Sequence, residues 1–326
     1  MKLKYTGVYL ARLFGRLRWR WMESLFFQVF RSHARAGICG PWASGSKMNS
    51  REIERIAADW VASPPTVYFR FKEAIDDPDS SWKDFGEILR GDPALTARLL
   101  KIVNSAFYGL STRVETVEHA LTIVGLDQLS ELILATTVMN EFKGIPREII
   151  TMSSFWEHNM ACGLAAQIVA SFMEERNLER FYVAGMLHDI GSLPIYKKAP
   201  EKAMRAIDLS LEKNISLFEA ERQIFGFNHA DVGASLLKAW QLPSRLTEVV
   251  ATHHDPASAK NHPLEAAVVH LADRVAHEMG LGKSGEPSVP SLQEGVWKRI
   301  DLPELILEDV RIKLEEQFKT HIEIFL

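Results

Sequence analysis

The residues of this chain with chemistry to offer are histidines and aspartates spread through its C-terminal two thirds. The sharpest instance is Gly185-Met186-Leu187-His188-Asp189-Ile190-Gly191, where an adjacent His-Asp pair sits between apolar residues; His158, His229, His253 with His254, and Asp273 accompany it. Imidazole and carboxylate together suit iron, manganese, nickel or zinc, and these donors suffice for two divalent ions. A single helical histidine usually has an ordinary role as a capped or surface residue. The pair is different. His188-Asp189 lies in the apolar run from Phe181 to Ile195, where an unpaired carboxylate is costly to bury and a metal or hydrogen-bond partner relieves the cost. His253-His254 closes a periodic segment with Leu246, Val249 and Val250 on one side, so both rings fall at a helix C-terminus. The helix dipole favours an imidazolium there, which is the purely structural alternative.

Helices must position these donors. From Met48 onward the apolar spacing predicts an all-α chain. Asn49 or Ser50 caps a first helix through Trp60, and Ser63-Pro64-Pro65 breaks it. After the polar turn from Asp76 to Ser81, Asp92-Pro93 opens a helix whose stripe is Leu95, Leu99, Ile102, Val103, Ala106 and Phe107. Val117 to Val124 and Leu129 to Phe142 follow, parted by Gly125-Leu126-Asp127. Asn104-Ser105 marks either a groove between two halves or, more in keeping with those residue types, a helix end bonded to its own backbone. Past Pro146, His158 lies early in the helix from Phe155 to Met173, and His188-Asp189 ends the next. His229 opens a helix, and Asp273 lies within Leu264 to Met279. Donors from so many helices converge only in a compact bundle. Gly282 to Ser291 is predicted to be a mobile Gly, Pro and Ser-rich linker, and Leu305, Ile306, Val310, Leu314 and Phe318 predict a C-terminal helix docked on the bundle.

The chain's 326 residues allow one large or two modest domains, and 47% hydrophobic with 25% charged residues is an ordinary globular balance. Cys39 and Cys162 form no C-x-x-C spacing, which argues against a disulfide framework or zinc ribbon and suits a reducing cytoplasmic setting. The formal charge of −4 hides an asymmetry. Residues 1–47 hold nine Lys or Arg against Glu23 alone, a local +8 that leaves −12 on residues 48–326. An acidic body excludes a broad nucleic-acid surface. Within residues 8–35, Arg12, Arg16 and Arg20 step by four among leucines and aromatics, a pattern suited to peripheral contact with an anionic membrane. Two other accounts stand beside it: translation that starts at Met48, or an ordinary packed helix. Arginines interrupt every candidate secretory core.

Taken in order, several blocks make the chain resemble the HDOD proteins, bacterial signalling proteins related to HD phosphohydrolases and HD-GYP phosphodiesterases. In the first half these are Gly91 to Leu100, Val103-Asn104-Ser105-Ala106-Phe107-Tyr108-Gly109 and Ala120 to Gly125. In the second they are Trp156-Glu157-His158, Gly185 to Gly191, His229-Ala230-Asp231-Val232-Gly233 and His253-His254. The resemblance implies a helical bundle of two packed halves, residues 48–146 and an HD-domain-like 147–280, followed by a linker and C-terminal helix over 281–326.

It also implies a binuclear site. Asp189 would bridge two ions, one held by His158, His188 and Asp273, the other by His229, His253 and His254. Two departures count against turnover. Ser192 stands where HD-GYP enzymes carry a lysine, although Lys197, Lys198 or Arg274 could supply a cation, and Asp255-Pro256-Ala257 follows the two histidines instead of Gly-Tyr-Pro. The resemblance therefore points first to a signal-transduction module that holds metal and acts by binding a signalling protein partner. The alternative is a metal-dependent phosphohydrolase acting on a phosphorylated small molecule or nucleotide.

Overall fold

The computed structural model describes residues 65–325, apart from 106, 107, 109, 111 and 143. The basic extension 1–47, with its membrane-contact segment 8–35, lies outside the described residues, as do the helix from Asn49 or Ser50 and the stripe positions Ala106 and Phe107. Among the described residues the fold is all-helical, without strands.

The first half comprises α1 (Thr66–Asp76), α2 (Trp82–Arg90), α3 (Pro93–Val103), α4 (Val117–Val124) and α5 (Leu126–Val138). Asp92 caps α3 by accepting from the Leu95 amide at 3.0 Å, with Pro93 at the first helical position, and the helix buries Leu95, Leu99, Ile102 and Val103. Asn104 is structural. Its side chain donates to the carbonyls of Leu100 and Val114 and accepts from the Val114 amide, all at 2.7 Å, which pins the following loop. α5 stops at Val138, short of the predicted Phe142, because the chain tightens into successive three-residue turns closed by the amides of Asn140 and Glu141.

The second half is arranged around α6 (Met152–Phe172). Nearly every residue from Phe155 to Ala170 is buried, so this helix is enclosed on all sides, polar His158, Asn159 and Gln167 included, and occupies the centre. α7 (Glu179–Leu187) and α13 (Pro263–Glu278) pack on it. Between them in sequence come α8 (Ser192–Lys198), α9 (Pro200–Lys213), α10 (Leu217–Phe225), α11 (His229–Ala239), α12 (Ser244–Thr252) and a 3₁₀ turn at Pro256–Ser258. α9 and α10 pair over a small core of their own around Ala206, Leu217 and Ala220. The two halves share one core, with α5 packed on α7.

α14 (Val296–Ile300) rests on α13, and α15 (Ile306–Phe325) packs on both α6 and α3, buried through Val310 and Leu314. Leu305 precedes that helix and is 83% exposed, so it takes no part in the docking. The segment predicted to be a mobile linker is instead a bonded strap. The Lys283 amide donates to the Ser154 carbonyl at 2.9 Å, Tyr196 Oη to the Ser284 carbonyl at 2.8 Å, and the Leu217 amide to Glu286 Oε2 at 2.7 Å. Composition reported the turn-forming residues correctly but could not show that other elements supply partners for the strap's polar groups. No single described helix is long and apolar enough to cross a membrane.

Candidate metal centre

The helices bring the donors together through two close approaches. α6 and α7 cross where Gly163 faces Gly185: a Cβ on Gly185 would lie 2.8 Å from Gly163 Cα, and one on Gly163 would lie 2.7 Å from the Tyr182 carbonyl oxygen. Only hydrogen at these positions lets the backbones meet, and the crossing sets His158 of α6 beside His188 at the end of α7. The turn after α7 then presses Gly191 against α11, where a Cβ would collide with the His229 carbonyl and the Gly233 amide. Asp189 lies in that turn and His229 at the start of α11. Asp231, two residues on, belongs to the cap of this helix, exchanging hydrogen bonds with Asn228 at 3.1 and 2.9 Å.

His253 caps the C-terminus of α12 and His254 follows it. Glu248 secures the chain beyond them by accepting from the amides of Lys260, Asn261 and His262 at 2.7, 3.0 and 3.0 Å. Asp273 comes from α13. All seven residues expected from the sequence therefore meet in one place, and Asp189 is common to two donor groups. On one side its Oδ1 lies 3.3 Å from His229 Nε2 and 3.6 Å from His253 Nε2, while His254 Nε2 is 2.8 Å from His229 Nε2. On the other, its Oδ2 lies 3.3 Å from His188 Nε2. Asp273 Oδ1 is 3.5 Å from that nitrogen and 3.1 Å from His158 Nε2.

The tautomers these rings adopt when neutral are fixed by what their Nδ1 atoms touch. A carbonyl can only accept, so His188 Nδ1–H donates to Gly185 O at 2.7 Å and His253 Nδ1–H to Val250 O at 2.8 Å. His229 Nδ1–H donates to the buried Glu221 carboxylate at 2.7 Å, which also takes the His229 amide at 2.8 Å. In the neutral rings each Nε2 is left with a lone pair, and the Nε2 atoms of His188 and His253 are buried without a hydrogen-bond partner. Burial opposes a charge on His188, yet the facing carboxylates raise it well above 6.5 when no ion is bound, because a bare lone pair there would repel them. A divalent cation turns that repulsion into ligation, so the donor set fits such an ion.

Electrostatics without an ion register the same crowding. Burial pushes the carboxyls of Asp189 and Asp273 up, yet the surrounding imidazoles outweigh it and hold both well below the ordinary range. Burial lowers His158, His253 and His254, with His253 and His229 adding to the fall at His254. His229 is opposed by burial but raised to about 9 by Glu221 and Asp189.

Two supporting residues were missed from sequence. Glu221 is one; nothing local to α10 marks it. The other is His277, whose Nδ1 lies 3.0 Å from Asp273 Oδ1 and 3.1 Å from its carbonyl; its four-residue spacing from Asp273 was the available signal. The cations proposed for a phosphate are placed otherwise. Lys197 and Lys198 are exposed at the end of α8. Arg274 is committed to the Pro290 carbonyl at 3.0 Å and to Glu278 at 2.8 Å, and Ser192 is buried.

The profile of the HDOD domain matches residues 61–256. An uncharacterized protein of Treponema pallidum is 24% identical over 277 residues, covering 84% of this chain and 50% of its own length, so the chain spans about half of that curated relative. Among solved structures, a candidate phosphohydrolase from Shewanella amazonensis SB2B is similar with a TM-score of 0.65 at 22% identity, covering 83% of this chain and 96% of that one. A candidate signal transduction protein from Marinobacter aquaeolei VT8 gives 0.64 at 18%, covering 86% and 67%. At these identities the likeness shows a shared fold.

Proposed function

The chain belongs to the HDOD domain family, and from that premise we propose that it is a regulatory module that holds divalent metal in an HD-type centre and acts by engaging a signalling protein partner. The observation that carries the metal reading is the pair of Nε2 atoms on His188 and His253, buried without a hydrogen-bond partner and each facing a different oxygen of Asp189. Asp189 would join two ions. His158, His188 and Asp273 would hold one, and His229, His253 and His254 the other. Three imidazoles at the second position and two with a carboxylate at the first suit iron, manganese, nickel or zinc. A candidate signal transduction protein of similar fold is in keeping with a regulatory role.

A second reading is favoured by the shared carboxylate. Two ions so held would supply Lewis acidity and a water acidified toward neutrality, the means for attack on a phosphorus centre. For that chemistry the chain contributes donors and a largely buried site, but the described residues offer no lysine beside the His-Asp pair to hold a phosphate. Binding is therefore preferred to turnover.

Elemental analysis of purified protein, repeated on His188→Ala and His253→Ala, tests the metal reading. Two ions per chain that fall in both variants would support a shared centre, whereas none in the parent would make the histidines structural. Hydrolysis of bis(p-nitrophenyl) phosphate that disappears in Asp189→Ala would move the assignment to the phosphohydrolase.

A further inference from the structure

We infer that Arg245, through its pair with Glu131, is a positioning residue for the metal centre: it fixes the helix that ends in His253 and His254, and this rests on the metal reading above. α7 and α12 are built alike. Each has nine residues, a rod about 13 Å long. Each starts against the N-terminal half and ends in a donor, with His188 capping α7, His253 capping α12, and their ring centroids 5.1 Å apart.

A single guanidinium ties the two starts together. Arg245 is the second residue of α12. Its Nη2 donates to Glu131 Oε1 of α5 at 2.7 Å, and its Nη1 to the carbonyl of Arg180, the second residue of α7, at 3.0 Å. Beside it, Glu179 at the first position of α7 accepts from the Tyr108 hydroxyl of the N-terminal half at 3.1 Å. The ion pair is well sheltered, its side chains 15% and 17% exposed.

Rigid rods make this distant contact matter. A tilt of about 5° at the start of a nine-residue helix moves its far end by about 1 Å, whereas metal–ligand distances tolerate only about 0.2 Å. The junction is also incompletely bonded. Glu131 Oε2 and Arg180 Nε are buried without a hydrogen bond, the latter 3.7 Å from Glu265 Oε1. A partly satisfied polar junction has less to lose on rearranging than a saturated one. A partner that draws Glu131 away from Arg245 would thus loosen the His253–His254 end, and ion binding would tighten the junction in return.

Cobalt(II) titration of the full chain, followed by its visible spectrum and by equilibrium dialysis, tests the proposal. Arg245→Ala and Glu131→Gln are expected to bind at least about tenfold more weakly, the scale of lost second-layer support, with an altered ligand-field spectrum. The charge-reversed double variant E131R/R245E restores the ion pair but has no donor at 245 for the Arg180 carbonyl, so it is expected to recover affinity and spectrum only in part. Arg90→Ala, which breaks the exposed pair with Glu118 inside the N-terminal half, serves as a control and is expected to match the parent. If Arg245→Ala does not fold, Arg245→Lys decides the point, since it keeps the charge but cannot span both acceptors. Folded variants with parental affinity and spectrum would overturn the inference alone; a parent that takes up no cobalt would overturn the metal reading and this inference with it.

Discussion

A histidine is a fixed donor only when its other nitrogen is committed, and Glu221 commits His229. In Glu221→Ala the Nδ1–H and amide of His229 would lose their shared acceptor inside the protein. Ion affinity is expected to fall about 10–100-fold. Glu221→Gln keeps an acceptor but no charge, and its loss is expected to be smaller. Competition against a chromophoric chelator reads both variants, and parental affinity in the alanine variant would remove Glu221 from the centre's support. Of the seven candidate donors, His188-Asp189 in its apolar run and His253-His254 at the end of a periodic segment stand in telling local settings, whereas His158, His229 and Asp273 gained weight only beside them and through the family resemblance. Glu221 has no such setting. It lies eight residues before His229 across the left-handed turn at Gly226, and only the packing of α10 on α11 makes it a neighbour. His277 differs, since its place one turn after Asp273 on α13 was visible in the spacing.

Elements add a constraint that periodicity does not carry, namely how closely two backbones must approach. Helix boundaries in the first half follow from caps such as Asp92 and from breakers, which are local. The crossing of α6 and α7 is not local: it depends on Gly163 and Gly185 meeting across 21 intervening positions. Gly185→Ala would drive a methyl group against the Gly163 backbone, which cannot yield like the tip of a side chain. A loss of about 3 kcal/mol, the upper end for overpacking, is expected in urea unfolding, and a cost below about 0.5 kcal/mol would show that the helices separate freely. The strap that begins at Gly282, predicted to be mobile as far as Ser291, gives the converse lesson. Its glycines and prolines signalled turns, but order came from partners elsewhere, on α6, α8 and α10 and at His270, whose Nε2 accepts the Gln293 amide at 3.0 Å. Hydrogen exchange should find the Lys283 and Gln293 amides protected; immediate loss of both would restore the mobile-linker expectation.

At the scale of the whole molecule the two halves are clamped by α15, which packs on α3 of one and α6 of the other, and the clamp carries a pH dependence. His321 of α15 is buried, and its Nε2 accepts from the Tyr182 hydroxyl of α7 at 2.7 Å. Burial lowers its pKa from the ordinary 6.5 to about 4. The folded chain therefore favours the neutral ring, while the unfolded chain takes up a proton near pH 6.5. Stability from this residue is complete above that pH, falls as pH drops toward 4, and levels off below; the interval of about 2.5 units corresponds to at most about 3 kcal/mol. Other groups titrate in the same window, notably the histidines and carboxylates of the metal centre. The difference between parent and His321→Gln, each unfolded in urea with a chelator present from pH 7 to 4, isolates the contribution. That difference should shrink steadily as the pH falls below 6.5, because the glutamine cannot take a proton. A difference that stays constant across the window would mean that α15 admits a charged His321, and that acid weakens the assembly through other groups.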